Sequence, residues 1–469
     1  MNDQPVGLID RTLRRFRRAW GIAGLGRQDL DDIGADLDAD DDIPHLRRHI
    51  DSSLSGKGGD VSARARAARL GELYYRLSPA GRARFMWVLA NDYDVEKDAV
   101  DSAILRRQTA QDALERHAAE QALRAALLAP RLALLTQFNS LDQGVKFLVD
   151  MRADLMEMPR EPALSALDTE FRDLLTAWFD IGFLELRRIT WDTPAALLEK
   201  LIAYEAVHEI QSWDDLKNRL DSDRRCYAFF HPGMPDEPLI FVEVALVRGL
   251  SDNVQRLLDE EAPAQDPEEA DTAIFYSISN CQKGLSGISF GNFLIKRVVG
   301  DLTHDLPNLK TFATLSPIPG LARWLDDAID DIPDKLAAPA EARLVRAVAR
   351  RDDTAEAVKS LLAADGWQND QDIAQCLEPI LTRAAAYYLL KERRGTRVHD
   401  RVAHFHLTNG ARVECINWRA DTSPRGLTQA ASMMVNYRYK LDEIERNHES
   451  YTGDHRIVAT TAVRRLLKV

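Results

Sequence analysis

Through residues 1–188 apolar side chains return every three or four positions, the spacing of helices with one buried face. Ser78-Pro79 offers an N-cap followed by a proline at the first helical position, and Phe85, Val88 and Leu89 then share a stripe. Ile104, Leu105, Leu114, Ala118, Leu123 and Leu127 predict one apolar stripe over 101–129, which Pro130 stops. Segments 132–156 and 165–184 repeat the pattern. The Arg-rich stretch 11–20 predicts a basic amphipathic helix packing on Leu13, Phe16 and Trp20. No strand-like alternation interrupts these segments. The expectation is therefore an all-α N-terminal helical domain of antiparallel helices over 1–188.

The texture changes after residue 188. RRCYAFF (224–230), PLIFVEVALV (238–247), TAIFYSIS (272–279) and KTFATL (310–315) are short β-branched and aromatic runs bounded by turn residues, which predicts strands. The segment 260–271 is acidic and Pro-containing, an exposed loop. A helix over 291–302 follows a glycine-rich turn, and residues 321–395 are helical again. ARVECINW (411–418) predicts a strand, and 426–446 a helix. Residues 189–469 are thus expected to be an α/β (α+β) domain with a helical insertion at about 321–395.

Composition narrows the function. The 469 residues suit two or three domains, and 45% hydrophobic residues suffice for a core without staples. With 61 Lys+Arg against 74 Asp+Glu the net charge is −13, which argues against a dedicated nucleic-acid binder but leaves an anionic small ligand open. Cys226, Cys281, Cys376 and Cys415 are scattered without a CxxC, so neither a disulfide framework nor a zinc knuckle is expected. No apolar run has membrane-spanning length, no secretory h-region opens the sequence and Leu467-Lys468-Val469 is not a peroxisomal ending; the expectation is a cytoplasmic protein away from membranes.

Several motifs fail on their own chemistry. Asp36, Asp38 and Asp40 begin like a calcium loop, but Asp41 and Arg47 stand where Gly and Glu are needed. Gly56-Lys57-Gly58 lacks the remainder of a phosphate loop, and His45 with His49 has no third ligand. GISFG (287–291) has the letters of a nucleophile elbow around Ser289, yet QKGLSG separates it from the preceding strand. As a strand–glycine loop–helix unit the same stretch suits a pyrophosphate held by backbone N–H groups, with a plain structural turn as the alternative. In SPIPG (316–320) the prolines rigidify a loop at a strand's carboxyl end and fix the Ser316 hydroxyl, or simply turn the chain into a helix. In HFHLTNG (404–410), His404 and His406 would share one face of a strand, as a metal requires, or one of them would carry a proton.

Taken together, LDQGVKFLVDMRADL (141–155), WFDIGFLELRRITW (178–191), YEAVH (204–208), AIFYSIS (273–279), GISFGNFLIKRVV (287–299), TLSPIPGLARWL (314–325), AHFHLTNGARVECINW (403–418) and VNYRYKLDEIE (435–445) resemble the malonyl-CoA decarboxylase family. The resemblance spans roughly 70–455 in matching order and spacing. It implies a helical domain used for self-association into a homodimer or homotetramer. It also implies a catalytic domain of the acetyltransferase (GNAT) fold that binds coenzyme A thioesters.

Carried over by motif, the loop Ser286, Gly287, Ile288, Ser289, Phe290, Gly291 and Asn292 would cradle the CoA pyrophosphate. Ser286 and Ser289 depart from the usual Gln/Arg and Gly of that fold, and Gly291 is retained, so binding there would fall to backbone N–H groups. The family's catalytic pair lands on Ser316 as proton acceptor or orienter and His406 as proton donor, with Tyr439 facing the substrate. Malonyl-CoA as substrate and acetyl-CoA as product are implied, with no cofactor and no metal. The thioester itself serves as electron sink, and His406 is expected to titrate near neutrality. An acyl-CoA thioesterase or acyltransferase on the same fold, or a non-catalytic malonyl-CoA-binding regulator, are the alternatives.

Overall fold

The structure, a computed structural model, describes residues 30, 32–55, 59–139, 141, 143–288, 294–330 and 336–468. The stretch 11–20, Gly56-Lys57-Gly58 and the loop positions Ser289, Phe290, Gly291 and Asn292 lie outside the described residues. The chain forms two compact units. One holds the residues up to Phe183 with His231–Glu237 and Gln282–Ser289; the other holds Leu184–Phe230, Pro238–Cys281 and Phe290–Val469.

The first unit is helical, from Asp42–Leu54 to Pro162–Trp178. Ser78 caps the helix Pro79–Asp92 by accepting the Gly81 N–H, as its sequence position implies. The core centres on Phe147, whose ring meets Tyr74 and Phe138 edge-on at 5.7 and 5.0 Å. Arg131 is buried there, paired with Glu170 at 2.6 Å and Asp94 at 2.8 Å and donating to the Ala90 carbonyl. Removing both acids would leave a buried charge uncompensated. In the same unit Arg152 donates to the carbonyls of Gly284 (2.7 Å) and Ser286 (2.9 Å), fixing the start of the glycine loop. A Cβ at Gly284 would stand 1.8 Å from the Val149 carbonyl oxygen, so the close approach requires glycine.

Two expectations fail in this unit. The stripe over 101–129 is not one helix but two, Lys97–Thr109 and Ala113–Ala126. Asp112 accepts the Glu115 N–H as the N-cap of a new helix, and Glu115 reaches back to the Gln111 N–H. Leu105, Leu114 and Leu127 are then exposed rather than buried.

The second unit is built on an eight-stranded sheet. Its strands are β1 (Glu185–Ile189), β2 (Arg224–His231), β3 (Met234–Val247), β4 (Thr272–Asn280), β5 (Thr311–Thr314), β6 (Ser316–Pro317), β9 (Arg412–Asn417) and β10 (Met434–Tyr439). A separate hairpin pairs β7 (Arg393–Arg394) with β8 (Arg397–Val398). The order is β1-β2-β3-β4-β5-β10, with β6 continuing beside β10 and β9 on its far side. Strands β4 and β5 run parallel. Helices Leu321–Ala328, Pro339–Ala349, Thr354–Leu362 and Gln371–Leu390 fill the segment between β6 and β7.

Three readings are corrected here. β1 begins at Glu185, inside the stretch expected to be all-helical; its five residues lack a clean alternation. The helix expected over 426–446 is a helix (Pro424–Ala430), then β10, then a helix from Ile444. Ala431 and Ser432 take φ of +47° and +69°, ending the first helix, and M-V-N-Y-R-Y then alternates faces as a strand. Finally, His404 and His406 lie on the helix Arg401–Thr408, not on a strand; Asp400 caps it by accepting the Ala403 N–H at 2.7 Å.

Candidate active site

Alternation assigns the faces of the central strands. Phe312, Thr314 and Ser316 point to one face together with Val435, Tyr437 and Tyr439. On the opposite face Phe241, Glu243 and Ala245 of β3 meet Ser279, Ser277 and Ile274 of β4, where the register shift leaves Tyr276 as the bulged residue. Between β4 and β5 the parallel ladder ends with the Leu315 N–H donating to the Phe275 carbonyl at 3.0 Å. A parallel ladder takes its next donors two residues at a time. Those positions are Pro317 and Pro319, which have no N–H. β6 therefore pairs only with β10, while β4 runs on to Asn280, and a slot opens between them.

That slot is occupied by a cavity of about 400 Å³ within the second unit. Its walls include Phe275, Ile278, Pro317, Pro319, Phe405 and Met433, and side chains from both faces of the sheet reach it. Ser316 and His406 line one side; His208, Tyr276, Asp421 and Arg425 also line it.

Ser316, His406 and Tyr439, named from sequence, come together. Ser316 Oγ lies 3.1 Å from His406 Nε2, and His406 Nδ1 lies 2.7 Å from Tyr439 Oη. Ser316 Oγ donates to Thr314 Oγ1 at 2.8 Å, and Thr314 Oγ1 also accepts the Tyr437 N–H. With the serine proton committed to Thr314, Nε2 is assigned as the protonated ring nitrogen and Nδ1 accepts from Tyr439. The imidazole stacks on Tyr437, centroids 4.6 Å apart. It is 3% exposed. Burial pushes its pKa down to about 3, so the expectation of a group titrating near neutrality is overturned: His406 is neutral in the free protein. Burial holds the Tyr439 hydroxyl well above its ordinary value, so it too stays protonated.

The helix ends where the site needs it to. Gly410 takes φ +80°, the Ala411 N–H donates to the His406 carbonyl, and a Cβ at Gly410 would stand 2.3 Å from the Ile444 carbonyl oxygen. The N-G of the motif is thus a helix stop. On a helix, residues two apart face away from each other. His404 Nδ1 accordingly meets Tyr451 Oη at 2.8 Å and takes no part beside His406. Among the described residues no cluster of three or more His, Cys, Asp or Glu side chains is arranged to hold a metal. Ser286, Gly287 and Ile288 belong to the first unit; Gly287 takes φ +79° with open space where a Cβ would be.

Sequence reasoning gave no role to Thr314, which shares the Ser316 face, or to the residues of the Y-E-A-V-H stretch. Glu205 accepts the Val207 and His208 N–H groups, both at 2.7 Å, and the hydroxyl of Ser277 at 2.8 Å. Buried Arg219 donates to the His208 carbonyl at 2.8 Å and pairs with Asp215 and Glu243. No spacing rule connects residues 205, 219, 243 and 277; only the sheet register does.

The sequence pattern of the malonyl-CoA decarboxylase C-terminal domain matches residues 182–469, and that of the N-terminal domain matches 93–179. The mitochondrial malonyl-CoA decarboxylase of Rattus norvegicus is 37% identical over 401 residues, 82% of this chain and 81% of that protein. That of Anser anser anser is 37% identical over 410 residues, 83% and 81%. The crystal structure of malonyl-CoA decarboxylase from Rhodopseudomonas palustris superposes with a TM-score of 0.81 at 40% identity, covering 90% of this chain and 99% of that one. The Agrobacterium vitis structure gives 0.81 at 42%, covering 90% and 100%. The chain belongs to the malonyl-CoA decarboxylase family.

Proposed function

We propose that this protein decarboxylates malonyl-CoA to acetyl-CoA and carbon dioxide, with the thioester lying in the slot between β4 and β6. The observation that carries this reading is the buried Tyr439–His406–Ser316 relay facing a largely apolar cavity. The bond from the α-carbon to the carboxylate breaks, and its electron pair moves into the thioester carbonyl, giving carbon dioxide and an enolate. The enolate carbon then takes one proton, so the reaction consumes one proton per turnover. Holding the carboxylate out of the thioester plane supplies the orbital alignment the first step needs.

His406 is neutral before substrate arrives because nothing opposes its burial. The enolate that forms beside it supplies the missing charge and draws its pKa up. Ser316 Oγ bonds Nε2, and the residue lines the cavity beside His406, where it orients the substrate and hands the proton on. The polyanionic CoA end is assigned to backbone N–H groups of the loop 286–292, as the family motif implies. The helical part is read as self-associating, since Leu105, Leu114 and Leu127 project into solvent. Among the described residues no helix is long and apolar enough to cross a membrane; the enzyme is assigned to the cytoplasm, which cell fractionation tests.

Incubating the purified protein with malonyl-CoA and analysing the products tests the proposal. Acetyl-CoA and carbon dioxide in equal amounts are expected; free CoA with malonate would assign a thioesterase instead. Light scattering reports the self-association, with a monomer at micromolar concentration refuting it.

A further inference from the structure

Two side chains among those that line the cavity have no use in the scheme above. The Nε2 of His208 and the hydroxyl of Tyr276 are buried and make no hydrogen bond to the described protein atoms. Leaving such groups unpaired is costly unless something enters to satisfy them. Both are held firmly. His208 is 9% exposed, with its N–H on Glu205 and its carbonyl on Arg219, and Tyr276 is the bulged residue of β4 at 2% exposure. Both are neutral: burial pushes His208 down to about 4 and the Tyr276 hydroxyl well above its ordinary value, so the hydroxyl is a donor and Nε2 is one in the tautomer that carries the proton there. Asp421, Arg219 and Arg425 are the charged groups that bear on His208.

Tyr276 lies on the sheet face that carries Glu243 and Ser277, and Ser277 bonds the Glu205 that holds the His208 loop. Ser316 and His406 work from the other face. A thioester in the slot therefore meets the proton relay on one side and this second pair on the other.

We infer that His208 and Tyr276 receive the carboxylate of the malonyl group, opposite the Ser316–His406 relay. The inference rests on the slot being the malonyl-CoA site. Geometry favours it because the breaking bond must stand perpendicular to the thioester plane, an orientation that a pair held on one side of the slot can enforce. The chemistry favours neutral donors. A cation paired directly to the carboxylate would stabilise the ground state and lose that interaction as the charge moves to the enolate. Two uncharged donors orient the carboxylate without anchoring its charge.

The test uses two inert thioethers and calorimetry on the full-length protein. S-(2-carboxyethyl)-CoA carries a carboxylate at the malonyl distance but has no carbonyl and cannot decarboxylate; S-propyl-CoA lacks the carboxylate. Wild type is expected to bind the carboxylated analogue about tenfold more tightly, as a hydrogen-bonded group implies. His208→Phe and Tyr276→Phe should each remove most of that preference while leaving S-propyl-CoA affinity within about twofold. His208→Gln, which keeps a donor, should recover part of it.

Equal weakening of both analogues would move the pair to the pantetheine arm and overturn the inference, as would a wild type with no preference. Should His208→Phe fail to fold, Tyr276→Phe and His208→Gln decide alone. Because the analogues are not turned over, this outcome is separate from whether wild type releases carbon dioxide from malonyl-CoA.

Discussion

Replacing Tyr439 by phenylalanine isolates one contact. The hydroxyl bonds His406 Nδ1 at 2.7 Å, and both side chains are buried. Its removal takes away one neutral hydrogen bond and leaves Nδ1 unsatisfied in a dry site, a loss of about 1–3 kcal/mol. The ring stays, so packing changes little. Nδ1 without a donor permits the other tautomer, in which Nε2 no longer offers a proton to Ser316. If the whole loss falls on the transition state, kcat drops roughly 10- to 100-fold, since each 1.4 kcal/mol is a factor of ten. KM should stay within about twofold, because the hydroxyl faces the histidine rather than the cavity wall.

Tyr437 supplies the control. Its ring stacks on the same imidazole, but its buried hydroxyl has no partner, so Tyr437→Phe should leave kcat near wild type. Acetyl-CoA formation at saturating malonyl-CoA reads both variants, with urea midpoints to confirm folding. A Tyr439→Phe enzyme at wild-type kcat, or two variants equally impaired, would refute the tautomer argument.

Other outcomes are equally specific. Ser316→Ala and His406→Ala should each lower kcat by at least ~10²-fold, the range for acid–base groups, and the double variant should be little worse than either. Acid should destabilise the fold through buried histidine. His406 titrates near 3 in the folded chain against an ordinary 6.5, so between those values only the unfolded chain takes the proton, and stability falls as pH drops below 6.5. Burial raises Asp400 to about 7, which acts in the opposite direction over an overlapping range. The comparison is therefore wild type against His406→Gln in urea titrations at pH 7.5 and 5.5. The variant should lose less stability on acidification, and parallel losses would count against a neutral His406. Gly410→Ala should cost roughly 1–3 kcal/mol, because the residue holds a positive φ and its Cβ would meet the Ile444 carbonyl; an unchanged melting temperature would contradict this.

Much of the architecture was legible wherever one signal dominated locally. The N-cap at Ser78, the strands at 224–231 and 272–280 and the strand at 412–417 each sit on a strong short-range pattern. Errors arose where two local signals competed. At 101–129 the apolar stripe outvoted the Asp112 N-cap, although the cap was visible as a D-x-x-E spacing. At 426–446 helix-forming residues flank a strand, and the two positive-φ residues between them are alanine and serine, which carry no warning in sequence. For the site, Ser316, His406 and Tyr439 came from family motifs and stand hydrogen-bonded together. Their electrostatic state did not follow, because a histidine's pKa depends on how much protein surrounds it, and burial is a tertiary quantity.

The prolines of S-P-I-P-G tie these levels together. Read as a sequence, they rigidify a turn. Placed in the sheet, they occupy the two positions where a parallel strand would next donate to β4. Each missing N–H removes a rung that would otherwise close the sheet. Ser316, paired across to Val435 of β10, is held at the lip of the resulting gap. The hydroxyl, the slot beside it and the relay behind it therefore share one cause: a ladder that stops one residue before Ser316. β-sheets ordinarily suppress unpaired edges in their interior. An interior gap is tolerable only if water or a ligand satisfies the freed backbone groups, which is why a cavity spanning both faces, with polar groups on each side, lies where the backbone can no longer pair.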